Sequence, residues 1–435
     1  MRLIGEKPNV FSEDILGRES IADGLEAVIQ AGKKSIVLSI DAGWGKGKTT
    51  FINMWINRLS EAKTYEVLHF NAWENDDSGD PLLALICEFE EQLKGESEKK
   101  YIDKIKTCGR MLFKASLSTM LKIVTNNTIN ASDLGIGEAN SKHLVDGAGK
   151  LGEVELFQAQ KKTKREFKKA LQEYQEHKNK KIIIFIDELD RCRPTFAIET
   201  LETIKHLFNI DNFIFILALD KSQLSCSVQT LYGKEIDSIG YLRRFIDVDF
   251  ILPEANRTIY TDFLFEKYSM TGENIKIFKD YLKLYIEEYD LSLRDLDKLF
   301  YHLSLVLPMT PLMNETKYTH IYLEMFSVVY ALLSIVKIKE HKGYQRLLKK
   351  EMLYGGELKT LRGDMSRTNY NEIMNPFVAL VSELASNSKE FNYDKLEVGK
   401  GNFGEVISVI SLLDTEKKNI VFLKQLEFSD NFRSG

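Results

Sequence analysis

Residues 35–59 read SIVLSIDAGWGKGKTTFINMWINRL, and this stretch decides the fold. Its first seven residues are a nearly continuous apolar run, which is typical of a strand buried on both faces of a parallel sheet. Its last nine residues place Ile52, Trp55, Ile56 and Leu59 on one face of a helix. Because a glycine-rich turn joins the two, the stretch predicts one strand–turn–helix unit of an α/β protein.

The turn AGWGKGKT (42–49) has the residue types of a phosphate-binding loop. Glycines let backbone N–H groups face phosphate oxygens, and the N-terminus of the next helix adds its dipole. We expect Lys48 to reach the β- and γ-phosphates and Thr49 to ligate Mg²⁺. The usual pattern starts with glycine, but Ala42 stands there, so we expect Gly43 and Gly45 to supply the backbone freedom. The residues expected to contact the nucleotide are Ala42, Gly43, Trp44, Gly45, Lys46, Gly47, Lys48, Thr49 and Thr50.

Further apolar runs predict four more strands, at 65–73, 181–189, 213–220 and 245–253. Helical patterns separate most of them, so the sequence predicts a parallel sheet with its ligands at the carboxyl ends of the strands. The third strand ends in two acids. We predict that Asp187 holds Mg²⁺ through water and that Glu188 is the catalytic base that deprotonates the attacking water. In the alternative interpretation, these acids only cap the next helix.

The chain is expected to contain three parts. Residues 1–253 form the core, with an insertion at 74–180 that is far longer than one crossover connection. Its Gly-, Asn- and Ser-rich middle, 126–149, is expected to be mobile. Residues 254–390 have a mostly helical pattern and are expected to form a lid region. Residues 391–435 are expected to form a short tail with a β-hairpin.

Composition excludes several classes of protein. With 435 residues, 44% hydrophobic and 28% charged, the chain has the make-up of a soluble globular protein. A net charge of −5 argues against a surface that is basic throughout and binds nucleic acid. Four scattered cysteines without a CxxC pair favour a reducing cytoplasm over a disulfide framework. The apolar stretches 111–124 and 322–338 carry charges and are short, so no transmembrane span is expected.

Taken together, five motifs resemble those of the KAP family of P-loop NTPases. They are GWGKGKT (43–49), FNAW (70–73), IDELDRC (186–192), LALD (217–220) and YLRRFIDVDFILP (241–253), within about residues 10–300. The resemblance implies a catalytic-glutamate, AAA-like P-loop domain with a helical lid that hydrolyses a nucleotide with Mg²⁺. ATP is the expected nucleotide, because the sequence has no NKxD motif for guanine. The chain is similar to the soluble bacterial members, some of which act in defence against phages or plasmids.

The resemblance also implies roles for single residues, each with a structural alternative. Asp220 would sense the γ-phosphate or cap the following helix. Arg243 and Arg244 are candidate arginine fingers, in their own site or a neighbour's, or they form surface ion pairs. Arg294, in the first turn of a helix that Ser292 caps, is similar to a lid arginine that contacts phosphates.

The segment 13–29, near the start of the chain, resembles the part of AAA-like ATPases that packs against adenine. Arg18 and Ile21 would then line the base pocket. The alternative is an ordinary amphipathic first helix.

Two further motifs each allow a functional and a structural interpretation. The loop GKGNFGEV (399–406) matches a kinase glycine loop, but the sequence contains neither HRD nor DFG, so a hairpin for protein contact is favoured. The basic half-helix KKTKREFKK (161–169) is interpreted as a solvated face, with nucleic acid or an anionic membrane as the alternative.

The sequence therefore predicts a cytoplasmic, Mg²⁺-dependent ATPase that couples ATP binding and hydrolysis to conformational control of a protein partner. One alternative is a nucleotide-gated scaffold with little hydrolysis, and another is a nucleic-acid-stimulated ATPase. Assembly into a homo-oligomer is left open.

Overall fold

A computed structural model describes residues 10–309, apart from 33, 94, 96 and 126–152, together with residues 327, 330, 331, 334, 335, 338 and 339. The chain divides into two compact units, Met1–Pro253 and Glu254–Gly435. Four predictions lie wholly or partly outside the described residues: the mobile segment 126–149, most of the lid region beyond residue 309, the tail 391–435 and its glycine loop 399–406.

A five-stranded parallel sheet forms the centre of the first unit. Its strands are β1 Ile36–Asp41, β2 Glu66–Asn71, β3 Ile182–Asp187, β4 Phe213–Leu219 and β5 Val248–Ile251. They lie in the order β2-β3-β4-β1-β5, and each pair of neighbours is parallel. The central strands β3 and β4 are buried along their whole length, as their continuous apolar sequences predict. The predicted α/β fold is confirmed.

Helices cover both faces of this sheet. They are α1 Glu19–Ala31, α2 Lys48–Ala62, α3 Pro81–Gln92, α4 Lys99–Thr125, α5 Glu153–Lys178, α6 Pro194–Leu207, α7 Lys221–Tyr232 and α8 Ser238–Leu242. Alternate residues of β3 enter two separate cores. Ile184 packs among residues of α3 to α8, whereas Phe185 packs with α1 and α2, where the Trp55 ring lies 5.3 Å from its own.

The long connection between β2 and β3 contains α3, α4 and α5. Phe167 of α5 is buried against Phe208, with ring centres 5.6 Å apart, so these helices share the core of the sheet. In the part of the chain that the structure describes, no helix is long and apolar enough to cross a membrane.

The second unit begins with three helices, α9 Arg257–Lys267, α10 Glu273–Glu288 and α11 Leu293–Val306. Their apolar faces meet around Phe265, whose ring lies 4.9 Å from that of Phe300. Ser292 caps α11 as predicted. Its Oγ accepts from the Asp295 N–H at 3.2 Å, while its own N–H donates to Asp295 Oδ2 at 3.0 Å.

Candidate functional site

The glycine-rich turn lies at the carboxyl end of β1. Ala42 still belongs to the strand ladder, because its N–H donates to the Leu219 carbonyl at 3.2 Å. Positive φ angles occur at Gly45 (77°) and Gly47 (82°), where a side chain would be strained. Gly43 is not among the residues with positive φ. Its carbonyl accepts from the Lys46 N–H at 3.4 Å, so the turn begins at Gly43, while Gly45 and Gly47 supply the left-handed backbone.

Lys48 is the first residue of α2 and is buried beneath this turn. Its Nζ donates to the Ala42 carbonyl at 2.8 Å. Burial lowers the pKa of Lys48, and nearby carboxylates oppose that shift. These are Asp190, Asp187, Asp220 and Asp41, in decreasing order of effect. The lysine therefore faces a group of acids at the carboxyl edge of the sheet. Thr49 and Thr50 follow it in the first turn of the helix.

Asp187 ends β3 and is only 2% exposed. Burial raises the pKa of its carboxyl, while a hydrogen bond from Thr49 and one from the Glu188 N–H oppose that shift. The Glu188 N–H lies 2.8 Å from Asp187 Oδ1. A hydroxyl and a carboxylate in contact are hard oxygen ligands of the kind that Mg²⁺ prefers. Thr49 and Asp187 therefore fit the metal that the sequence implies.

Glu188 has a left-handed backbone, with φ 63° and ψ 21°. Such a conformation is costly for a residue with a side chain and often marks a functional site. Its carboxylate Oε1 lies 2.8 Å from Arg191 Nη2. The Glu188 side chain thus pairs with an arginine rather than capping the next helix, which begins at Pro194. Its role as catalytic base stays a prediction.

Two residues at this edge were missed from the sequence, Asp190 and Arg191. Asp190 is buried and accepts from Trp44 Nε1 at 2.5 Å, although half of the Trp44 side chain is exposed. The guanidinium carbon of Arg191 lies 5.6 Å from the centre of the Trp73 ring. Both residues belong to the run that ends in DELDR. Their positions two and three residues after Glu188 were the sequence signal that could have identified them.

Asp220 caps a helix and also faces the glycine-rich turn. Its Oδ1 accepts from the N–H groups of Ser222 at 3.0 Å and Gln223 at 3.2 Å, which confirms the capping alternative. Its other oxygen points toward the turn, since a Cβ added to Gly43 would lie 3.9 Å from Oδ2. Sensing of the γ-phosphate stays a prediction.

Arg18 is 4% exposed and supports the turn from below. Its guanidinium donates to the carbonyls of Lys46 at 3.0 Å and Gly47 at 3.2 Å, and burial lowers its pKa. Ile21, in α1, is half-buried and packs against the core that α1 and α2 form with the sheet. The proposed contact of these two residues with a base stays a prediction.

The remaining arginines lie elsewhere. Arg243 and Arg244 are exposed and precede β5, at the amino edge of the sheet, where the Asp247 N–H donates to the Val37 carbonyl at 2.8 Å. Arg244 lies 5.8 Å from the centre of the Tyr241 ring. Arg294 is exposed in the first turn of α11, in the second unit. The phosphate contacts expected of all three stay predictions.

Comparison with known proteins identifies a family that this chain matches. The model of the KAP family P-loop domain matches residues 18–309. The phage T7 exclusion protein of Escherichia coli (strain K12) is 24% identical over 251 residues, in a match that covers 55% of this chain and 33% of that protein. The chain thus spans about a third of the length of this curated relative.

Two solved structures are also similar. Aeropyrum pernix ORC2 in its ADPNP–ADP complexes covers 94% of this chain and 96% of its own, with 13% identity and a TM-score of 0.38. Aeropyrum pernix ORC1 in complex with DNA covers 95% and 85%, with 14% identity and a TM-score of 0.36. Because the family model matches more than half of the chain, the protein belongs to the KAP family of P-loop NTPases.

Proposed function

We propose that the protein is a Mg²⁺-dependent ATPase. One observation carries this proposal: a buried lysine, a threonine–aspartate pair and a glutamate converge at the carboxyl edge of the sheet. Lys48 lies beneath the turn, Thr49 bonds to Asp187, and Glu188 follows Asp187 directly. This is the set of groups that phosphoryl transfer to water requires.

Each group has a step in the proposed reaction. The N–H groups of the turn and Lys48 bind the β- and γ-phosphates, and Lys48 exchanges its bond to the Ala42 carbonyl for phosphate oxygens. Thr49 and Asp187 would hold Mg²⁺, which supplies positive charge that offsets the charge on the phosphates. Glu188 accepts a proton from the water that attacks the γ-phosphorus, so that ADP and phosphate are formed.

Steady-state phosphate release from ATP with Mg²⁺ tests this proposal. We expect Glu188→Gln to lower kcat by about 10² to 10⁴, because it removes the base but keeps the shape. Lys48→Ala should weaken nucleotide binding and abolish turnover, because the turn then lacks the ammonium group that binds the β- and γ-phosphates. Glu61→Gln, an exposed change at the far end of α2, is the matched control. Equal turnover in Glu188→Gln and wild type would show that the hydrolytic proposal is wrong.

We propose that ATP binding and hydrolysis control a protein partner. In this proposal, the helical second unit responds to the nucleotide state. A scaffold with very slow hydrolysis is the second candidate, and the pairing of Glu188 with Arg191 favours it. A nucleic-acid-stimulated ATPase is supported only by exposed basic residues of α5, namely Lys161, Lys162, Lys164, Arg165 and Lys169.

The setting that we propose is the cytoplasm of a bacterial cell, in defence against phages or plasmids. The name of the Escherichia coli relative supports defence, although only a third of that protein is matched. The free thiols of Cys87, Cys108, Cys192 and Cys226 support a reducing compartment.

A homo-oligomer is part of this proposal, with Arg243 or Arg244 acting on the site of a neighbouring subunit. Both arginines are exposed, and both lie at the amino edge of the sheet, whereas the turn that binds phosphate lies at the carboxyl edge. A side chain at one edge is badly placed to reach a phosphate at the other. An arginine of a second subunit has no such constraint.

A further inference from the structure

The carboxylate of Glu188 is engaged by a neighbouring cation. Oε1 lies 2.8 Å from Arg191 Nη2, and the two side chains are only 14% and 27% exposed. A charge-assisted hydrogen bond of this length is roughly twice as strong as a bond between neutral groups. A general base, however, must accept a proton from its water. An oxygen that already bonds a guanidinium is poorly placed to do so.

The charges that act on Lys48 come from other carboxylates. The carboxylates that act on Lys48 are Asp190, Asp187, Asp220 and Asp41. Glu188 acts instead on Cys192, whose pKa is raised by burial and then by the charges of Asp76, Asp190 and Glu188. The ion pair of Glu188 with Arg191 spans the short turn Leu189–Arg191.

Arg191 is held in this position from a second segment. Its guanidinium carbon lies 5.6 Å from the centre of the Trp73 ring, within the range of a cation–π contact. Trp73 follows β2, and its loop is fastened to the start of α6 by Asp76, which accepts from the Arg193 N–H and Nε at 3.1 Å each. The indole itself is 53% exposed. Arg191 thus joins an exposed aromatic side chain to the glutamate of the site.

We propose that Arg191 is a positioning residue that restrains Glu188 and so keeps basal ATP hydrolysis slow. Release of Arg191 from Glu188 frees the carboxylate to take the proton of the attacking water. This restraint rests on the proposed function, because it has meaning only if Glu188 is the catalytic base.

The test compares steady-state hydrolysis by wild type, Arg191→Ala and Arg191→Gln. We expect kcat to rise about three- to tenfold in both variants, because each loses one half-buried ion pair. The KM of each variant should stay within about twofold of the wild-type value. A merely structural residue would not raise kcat when it is removed. Arg165→Ala, which removes an exposed arginine of α5, is the matched control. Melting temperatures establish that each variant is folded.

The double variant Glu188→Gln/Arg191→Ala provides the second readout. We expect its kcat to equal that of Glu188→Gln alone, because Arg191 acts only through Glu188. If folded Arg191→Ala and Arg191→Gln hydrolyse ATP no faster than wild type, while Glu188→Gln is slower than wild type, the restraint is refuted and the proposed function stands. If Glu188→Gln equals wild type, the proposed function fails and the restraint fails with it.

Discussion

Arg18 and Lys48 are buried cations that hold the glycine-rich turn from the inside. The carbonyls of Ala42, Lys46 and Gly47 accept from these two side chains at 2.8 to 3.2 Å. Carbonyl groups that point toward the protein leave neighbouring N–H groups to point outward, as a site for anions requires. At the scale of the residue, the turn is therefore prepared for phosphate by charges that lie below it.

Asp220 allows its two possible roles to be separated by substitution. Asp220→Asn keeps an oxygen that can cap α7, since asparagine and aspartate cap equally well, but it removes the negative charge that faces Gly43. We expect Asp220→Asn to keep its stability and lose turnover, because the altered oxygen is the one at the phosphate. Asp220→Ala should lose turnover and also about 1 kcal/mol of stability.

Phosphate release and urea unfolding, measured on the same preparations, check this prediction. Asn256→Ala is the control, because it removes the cap of α9 in the second unit. It should lower stability and leave kcat unchanged. Normal turnover in Asp220→Asn would mean that Asp220 is only a helix cap.

Lys178 fastens the helices of the long connection to the sheet. It ends α5, and its Nζ lies 2.9 Å from Glu98 Oε1, just before α4, and 3.2 Å from Glu66 Oε2 in β2. Burial alone would lower the pKa of Lys178, but its hydrogen bonds and charge interactions with these glutamates raise it. At the scale of the element, one cation therefore joins two helices and a strand where the connection returns to the sheet, before β3.

This arrangement predicts a pH-dependent contribution to stability. The hydrogen bond from Lys178, followed by that from Ser97, lowers the pKa of Glu98 from 4.5 to about 2. A carboxyl whose pKa is lower in the folded state stabilises the fold above its unfolded pKa, and loses that effect as pH falls toward the folded value. We expect Glu98→Gln to be less stable than wild type at pH 7, and the difference to shrink between about pH 5 and pH 3.

Urea unfolding midpoints at pH 7, 5 and 3.5 measure that difference. Glu176→Gln, on the exposed face of α5, is the control and should match wild type at each pH. A Glu98→Gln difference that stays constant across this range would exclude the ion pair as its cause.

At the scale of the whole molecule, a catalytic site shared between subunits makes a clear prediction. Chains with Arg243→Ala and Arg244→Ala together should bind ATP without hydrolysing it, because the transition state then lacks its guanidinium. Mixing them with inactive Lys48→Ala chains should restore turnover. In a mixed assembly, an intact turn meets an intact pair of arginines from the neighbour.

A mixture of Lys48→Ala and Glu188→Gln chains is the matched control for this experiment. Both substitutions damage the same edge of one subunit, so no complete site can form and no turnover should return. Full activity of the double arginine variant by itself, or an unchanged rate in the first mixture, would contradict the shared site.

Much of the fold followed from local pattern alone. The continuous apolar runs of β3 and β4 predicted buried parallel strands, because a strand covered on both faces has no polar side. The glycines and Lys48 predicted the phosphate-binding turn, since few other residues allow that backbone. Ser292 predicted the start of α11, because a serine before the first turn of a helix can cap it.

The contacts within the site required the folded chain, because they join residues far apart in sequence. Nothing in the sequence pairs Trp44 with Asp190, or Arg18 with the carbonyl of Gly47; strand order and helix packing bring them together. The spacing of Glu188 and Arg191 allowed an ion pair, but the left-handed backbone at Glu188 makes it. Local propensity decides which segments form strands and turns, whereas the direction of each side chain depends on its neighbours in space.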